Sequence, residues 1–239
     1  MNQRLQSISN KLQQLKSLDI HFQLFGAHRH HYQLNPVISL ETIQQFEQTH
    51  LIGLPEDYVA FLTQLGNGGA GPFYGLEAFE RILFVDLDRP NDNNLLYPNL
   101  PFPHLVAWNE PFNATCDEDN EAEFEQQYFE FHQHQMDGTI AICNYGCGVS
   151  LNLVVNGTEY GHIWTNDRAN DGGIYPSQEL GNTERLNFLD WYELWLDQSL
   201  VEIHEKQVQK EAQIDNLENK QIESHLHDSS KQKAWWKFW

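Results

Sequence analysis

Leu5, Ile8, Leu12 and Leu15 recur in alternating steps of three and four, which predicts an opening amphipathic helix with a single leucine seam. The next pattern, HFQLF over residues 21–25, alternates polar and apolar like a strand edge. Ser39 with Glu41 two residues on signals a helix start, and Ile43 and Phe46 carry that helix to His50. Tyr58, Phe61, Leu62 and Leu65 then fall at i, i+3, i+4 and i+7, one apolar face of a helix. Pro55 suits its first turn, Glu56 and Asp57 complement its positive end, and Gly66 stands where a left-handed stop is expected.

Further on, residues 82–85 have the composition of a short strand and residues 90–94 that of a loop. Residues 121–134 predict a helix with Phe124, Tyr128, Phe129 and Phe131 against the core and carboxylates in water. A sheet follows: residues 139–143, 149–155 and 159–165 read as a three-stranded antiparallel meander, with Asn156-Gly157 as a two-residue hairpin turn. His162 and Trp164 share one face of the last strand, and His162 reads as a packed or strand-edge histidine rather than a catalyst. Residues 187–204 carry an aromatic stripe of Phe188, Trp191, Tyr192, Trp195, Leu196 and Leu200, a closing core helix. A charged stretch continues as helix to about residue 226, with Ile214, Leu217 and Ile222 as a thin apolar face, and ends in KQKAWWKFW. Those lysines and aromatics suit a membrane interface, a fold-back onto the body or a protein partner. The fold class is α+β, one domain of antiparallel sheet and amphipathic helices with an added helix at each end.

Charge changes the picture most. The 239 residues carry a formal net charge of -20, which repels nucleic-acid phosphates and anionic membranes and favours basic partners. Aromatics make up 13% of the residues, so this acidity does not signal disorder. Cys116, Cys143 and Cys147 make no disulfide framework, and no zinc half-site has the usual spacing. The first residues lack the apolar stretch of a signal peptide and no apolar run is long enough to span a bilayer, so a cytoplasmic protein is expected.

Several groups invite a chemical reading. Gly66, Gly68 and Gly71 match G-x-G-x-x-G, but a helix precedes them and Gly71-Pro72 begins another turn, the wrong context for a dinucleotide. His28, His30 and His31 read as a solvated loop, for no Cys or carboxylate stands near them. Asp86, Asp88 and His104 lack a nucleophile or a completed metal set. Asp167 and Asp171 around Arg168, with His162, could form acid/base machinery, or Asp and Asn could simply make turn bonds while Arg168 pairs locally. No catalytic, cofactor or metal site is therefore expected. Residues 108–137 are acidic with no Lys or Arg; Asp117, Glu118, Asp119, Glu121, Glu123 and Glu125, with Tyr128, form either a solvated face or a docking surface for a basic partner.

The stretch LPEDYVAFLTQLGNGGAGPFYGL, residues 54–76, resembles the signature of the SUKH superfamily, the Smi/Knr-type domain. The residues that carry the likeness are Leu54, Pro55, Tyr58, Phe61, Leu62, Gly66, Asn67, Gly68, Gly69 and Gly75, all in structural roles. G-x-I-W at residues 161–164, Asp167-Arg168 and GGIYP, followed by a tryptophan-rich helix, look like the second half of such domains. The resemblance covers residues 25–200 and leaves a helix over 1–24 and an extension over 201–239. It implies a bacterial immunity protein that binds and neutralises a secreted polymorphic toxin. A nuclease fits best, since nucleases are basic to grip phosphates. The alternatives are a regulatory or scaffold protein like the fungal cell-wall synthesis regulator and, third, a hydrolase.

Overall fold

The computed structural model describes residues 3–116 and 120–235. Helix α1 (Gln3–Leu18) buries Leu5, Ile8, Leu12 and Leu15 along α6 (Phe188–Trp235). Arg4 bonds Glu193 at 2.6 Å and Lys11 bonds Asp197 at 2.7 Å across that seam. A short α2 (Ala27–His30) leads to α3 (Leu40–His50), whose first turn is capped by Ser39 accepting from the Thr42 amide. Next comes α4 (Glu56–Gln64), with Tyr58, Phe61 and Leu62 buried. Phe61 meets Phe188 and Tyr192 of α6 edge-on, with ring centroids 5.1 and 4.9 Å away.

After α5 (Glu121–His132) comes an antiparallel sheet in the order β1 (Thr139–Gly146), β2 (Val149–Val154), β3 (Ile163–Asp167), β4 (Gly173–Pro176). Both its faces are covered, so β2 is buried at every position rather than alternately. Ile140, Ile142, Leu151, Leu153 and Ile163 face the helices, while Ala141, Val154, Trp164 and Ile174 enter a second, smaller core with Leu96, Phe102 and Met136. The molecule is thus three layers: helices, sheet, and a loop layer carrying α5.

The 54–76 stretch links these parts. The Asp57 carboxylate accepts from the amides of Tyr58 (2.9 Å) and Leu189 (3.0 Å), tying α4 to the first turn of α6. Asn67 Oδ1 accepts from the buried Phe79 amide at 2.7 Å, and its own carbonyl accepts from Asn35. Gly69 exchanges both backbone bonds with Leu76, and Glu77 donates from its amide to Ile142 of β1. The glycine bend is therefore the joint between helical layer and sheet.

Several expectations need correction. Gly66 is not a left-handed stop; positive φ begins at Gly68, and Gly66 is glycine because a Cβ there would lie 2.6 Å from Leu34 Cβ. Residues 21–25 form no strand, because the buried Asp19 carboxylate accepts from the Gln23 and Leu24 amides and the Tyr32 hydroxyl and winds the chain into a turn. Residues 82–85 contribute only an isolated bridge, Phe84 to Leu95.

In the sheet, β1 runs on to Gly146, the third strand begins at Ile163 rather than 159, and β4 adds a fourth. Asn156-Gly157 is no two-residue hairpin. The Asn156 amide donates to Gly138, its carbonyl accepts from Phe102 and its side chain donates to Asn99, which hold it in line with a neighbouring segment. The chain then returns through a longer loop over residues 155–162.

His30 is not solvated. It is 9% exposed, its Nδ1 accepts from the Tyr32 amide, and its ring stands edge-on to Trp195 at 6.1 Å. Burial, reinforced by His31, pushes it down to about 4. The unfolded chain therefore binds a proton between pH 6.5 and 4 that the folded one refuses, so this contribution to stability is present above pH 6.5 and lost as pH falls toward 4. Urea unfolding at pH 6.5 and 4.5 should show the wild type losing on the order of 2 kcal/mol more than His30→Gln; equal losses would place the titration elsewhere.

Candidate functional site: the α5 face and the cleft beneath it

Trp108 starts this site. It bridges to Ile174, each amide donating to the other's carbonyl at 2.7 Å, so the 108–112 segment lies beside β4 as a strap. Gly173, at φ 81°, permits this approach, because a Cβ there would lie 2.3 Å from the Trp108 carbonyl. Asn109 fastens the strap by donating to the Asp171 carbonyl at 2.8 Å.

On the strap, Phe112 meets Phe124, Tyr128 and Phe131 of α5 at centroid distances of 5.4, 5.3 and 5.5 Å. Asn120 caps α5 by accepting from Glu123. The expectation that the aromatic face of α5 packs into the core is wrong. No residue of α5 is buried, and Phe124, Tyr128 and Phe129 are 43%, 49% and 55% exposed. The reason is the strap: Phe112 and Trp108 occupy the space that the helix would have filled, so α5 rides one layer further out.

Arg168, in the turn between β3 and β4, lies beneath α5. Its Nη1 donates to the His132 carbonyl at 2.7 Å and its Nε to Asn166 Oδ1 at 2.8 Å. Burial lowers its pKa to about 10. Burial, and then the Arg168 charge, also lowers His132, while His104 is lowered chiefly by burial and donates to the Gln135 carbonyl at 3.0 Å. Neutral imidazoles and one cation therefore underlie a surface of carboxylates. A cleft of about 450 Å³ opens between strap and helix, lined by Trp108, Phe112, Tyr128, His132, Arg168 and Asp171. A second, of about 310 Å³, opens on the other side of Tyr128 and Arg168, toward Leu96 and Met136.

Of the expected partner-binding residues, Glu121, Glu123 and Glu125 are exposed on α5 and Tyr128 half-exposed beside them. Asp117, Glu118 and Asp119 lie outside the described residues, as do Trp236, Lys237, Phe238 and Trp239 of the KQKAWWKFW tail. Leu54, Pro55, Tyr58, Phe61, Leu62, Gly66, Asn67, Gly68 and Gly75 are buried and Gly69 nearly so, away from the α5 face.

The hydrolytic alternatives do not assemble. His162 pairs with Glu159 at 3.3 Å before β3, and Asp167 bonds Asn170 at its far end, about 16 Å along the strand. Asp171 takes a left-handed turn conformation. Asp86 accepts from the Asp88 and Arg89 amides, and Asp88 from Asn144 and Gly148. Among the described residues no three His, Cys, Asp or Glu side chains are grouped to hold a metal ion. Arg168 pairs locally only through Asn166; its other bond reaches the His132 carbonyl, 36 residues away in the chain, and both acceptors are neutral oxygens. Sequence reasoning missed its burial under α5. The available signals were the Gly172-Gly173 pair, which marks a close backbone approach, and Trp108 and Phe112 in an otherwise polar loop.

A helix ending in a glycine bend, joined through that bend to an antiparallel sheet, defines an α+β domain of the Smi/Knr type. The model of the SMI1 / KNR4 family (SUKH-1) matches residues 37–179, more than half of the chain, and the chain belongs to that family. No curated protein and no solved structure matches it. The matched span holds the 54–76 stretch, α5 and the whole sheet; α1 and α6 flank it. Among the described residues no helix is long and apolar enough to cross a membrane.

Phe112→Ala should loosen α5 selectively, because three aromatic pairs worth about 1 kcal/mol each hold the helix. Hydrogen exchange should quicken at least about tenfold in α5 amides and stay unchanged in β1 and β2. Unchanged α5 exchange would mean that the helix is anchored elsewhere.

Proposed function

We propose that this chain is an immunity protein that binds a secreted toxin, a basic nuclease domain, and blocks it by direct contact through the α5 face. The carrying observation is the helix itself: no residue of α5 is buried, and Phe124, Tyr128 and Phe129 stand exposed between carboxylates. Exposed rings of this size supply contact area, and surrounding charge raises the rate of encounter with a basic partner. The net charge of -20 extends that field over the whole molecule. A face made to repel phosphates also competes for the surface with which a nuclease grips its substrate. Family membership supports a binding role, and the separation of His162 from Asp167 and Asp171 by the length of β3 gives hydrolysis no support.

A scaffold reading draws on a different feature. Helix α6 runs 48 residues, far past the core residue Ile203, with Val208, Ile214 and Leu217 exposed on the extension. Recruitment of a second protein along that helix is compatible with toxin binding at α5.

Charge neutralisation separates the two. The chain should form a complex with the toxin domain encoded beside it, and the affinity should fall steeply with salt. The triple variant Glu121→Gln, Glu123→Gln, Glu125→Gln should weaken binding about tenfold or more, mostly through slower association. Truncation after residue 206 should leave affinity unchanged. If truncation abolishes binding and the triple variant does not, the scaffold reading holds instead.

A further inference from the structure

The chain has 34 Asp and Glu against 14 Lys and Arg, so almost any arginine could have found a carboxylate. Arg4 and Arg185 have, and Arg81 is paired with Glu77. Arg29 and Arg89 have no ion pair among the described residues, but both are exposed to water; Arg168 differs in being set into the protein. It is the most deeply set cation of the loop layer, yet both its hydrogen bonds go to neutral oxygens, the His132 carbonyl and Asn166 Oδ1. Among the described residues no carboxylate lies within ion-pair distance, although Asp171 and Glu110 line the adjoining cleft. Nη2 donates to no described atom. A half-buried cation without its counter-charge is costly to keep, and the depression of its pKa to about 10 reflects that cost.

What adjoins Arg168 is a receptor in outline. Trp108, Phe112 and Tyr128 line the cleft with the guanidinium, the Phe112 and Tyr128 rings meeting edge-on at 5.3 Å to form one continuous aromatic surface beside it. Apolar surface with a few convergent polar groups is the usual make-up of an anchor pocket, and Arg168 is the one cation in a lining that also holds Asn109, Glu110, His132 and Asp171. The fork of an arginine matches the two oxygens of a carboxylate.

We propose that this cleft accepts an acidic side chain of the partner polypeptide, its carboxylate on Arg168 and an adjacent aromatic or aliphatic residue against Trp108, Phe112 and Tyr128. The inference rests on the reading of the chain as a protein-binding module and adds a selection rule to it. The α5 carboxylates attract any basic domain, whereas the Arg168 cleft rewards one that also carries an acid at a matching place. Such a lock distinguishes a cognate toxin from other basic proteins, which bulk charge alone cannot do.

The probes are two capped dipeptides, N-acetyl-Phe-Glu-amide and N-acetyl-Phe-Gln-amide, titrated into the full chain while the arginine Nε–H and tryptophan indole N–H signals are followed by NMR. The glutamate peptide should shift the Arg168 and Trp108 signals saturably, at least about tenfold tighter than the glutamine peptide. That preference runs against the global field, which disfavours an anionic ligand on a chain of net charge -20. Arg168→Gln should erase the preference, and Tyr128→Ala, on the half-exposed wall, should weaken both peptides. Should Arg168→Gln fail to fold, the comparison of the two peptides on the wild type still decides. Equal affinity for the two peptides, or shifts that leave Trp108 and Arg168 untouched, overturns the proposal. Because neither peptide is basic, that result leaves the α5 reading standing, and loss of toxin binding in the charge variant would leave this one standing.

Discussion

Asp57 and Asn67 stand near the two ends of α4, and each gives a side-chain oxygen to a backbone N–H from a distant part of the chain. Asp57 takes Leu189 in the first turn of α6, and Asn67 takes Phe79 where the chain turns toward β1. Both amides would otherwise be orphans, one because helix starts leave their N–H groups unpaired and the other because it is buried. With these bonds made, α4 is fixed in angle and depth, and Phe61 can interlock with Phe188 and Tyr192. The glycines of the bend follow from the same need. Gly66, Gly68 and Gly69 each have backbone or Cβ atoms closer than a side chain could tolerate. The family motif is thus a frame, and its residues are buried because they hold layers together.

The α5 face grows from the opposite side of the sheet. The larger core belongs to α1, α3, α4, α6 and one sheet surface, whereas the smaller core lies under the strap and α5. The two share strands but few side chains, so the loop layer can vary in shape and charge without disturbing the frame. That division explains why α5 carries so little of the core: its contacts run through Phe112, Trp108 and the Arg168 bond to its last carbonyl, a mounting that leaves the rings outward.

Much of this was legible in the chain. The leucine seam of α1, the Ser39 cap, the apolar face of α4 and the aromatic stripe of α6 all appeared where periodicity placed them, because helical spacing reports burial directly. The failures have a common origin. Residues 21–25 looked like a strand, yet a single buried carboxylate, Asp19, overrode their alternation. Asn156-Gly157 looked like a hairpin, yet bonds to residues 99, 102 and 138 claimed it first. The aromatic side of α5 looked buried, yet a strap from earlier in the chain took its place. In each case a partner distant in sequence outweighed a local preference. Arg168 belongs with them, since its depth depends on α5 and on the approach that Gly173 allows.

The claim that the motif frames the fold and the α5 face does the binding can be tested at one residue. Asn67→Ala strips the buried Phe79 amide of its acceptor, and urea unfolding at neutral pH should show a loss of about 2 kcal/mol. Under conditions where the variant remains folded, its affinity for the cognate toxin domain should match the wild type. Undiminished stability together with lost binding would contradict the account, because it would put the motif in the interface and not in the frame.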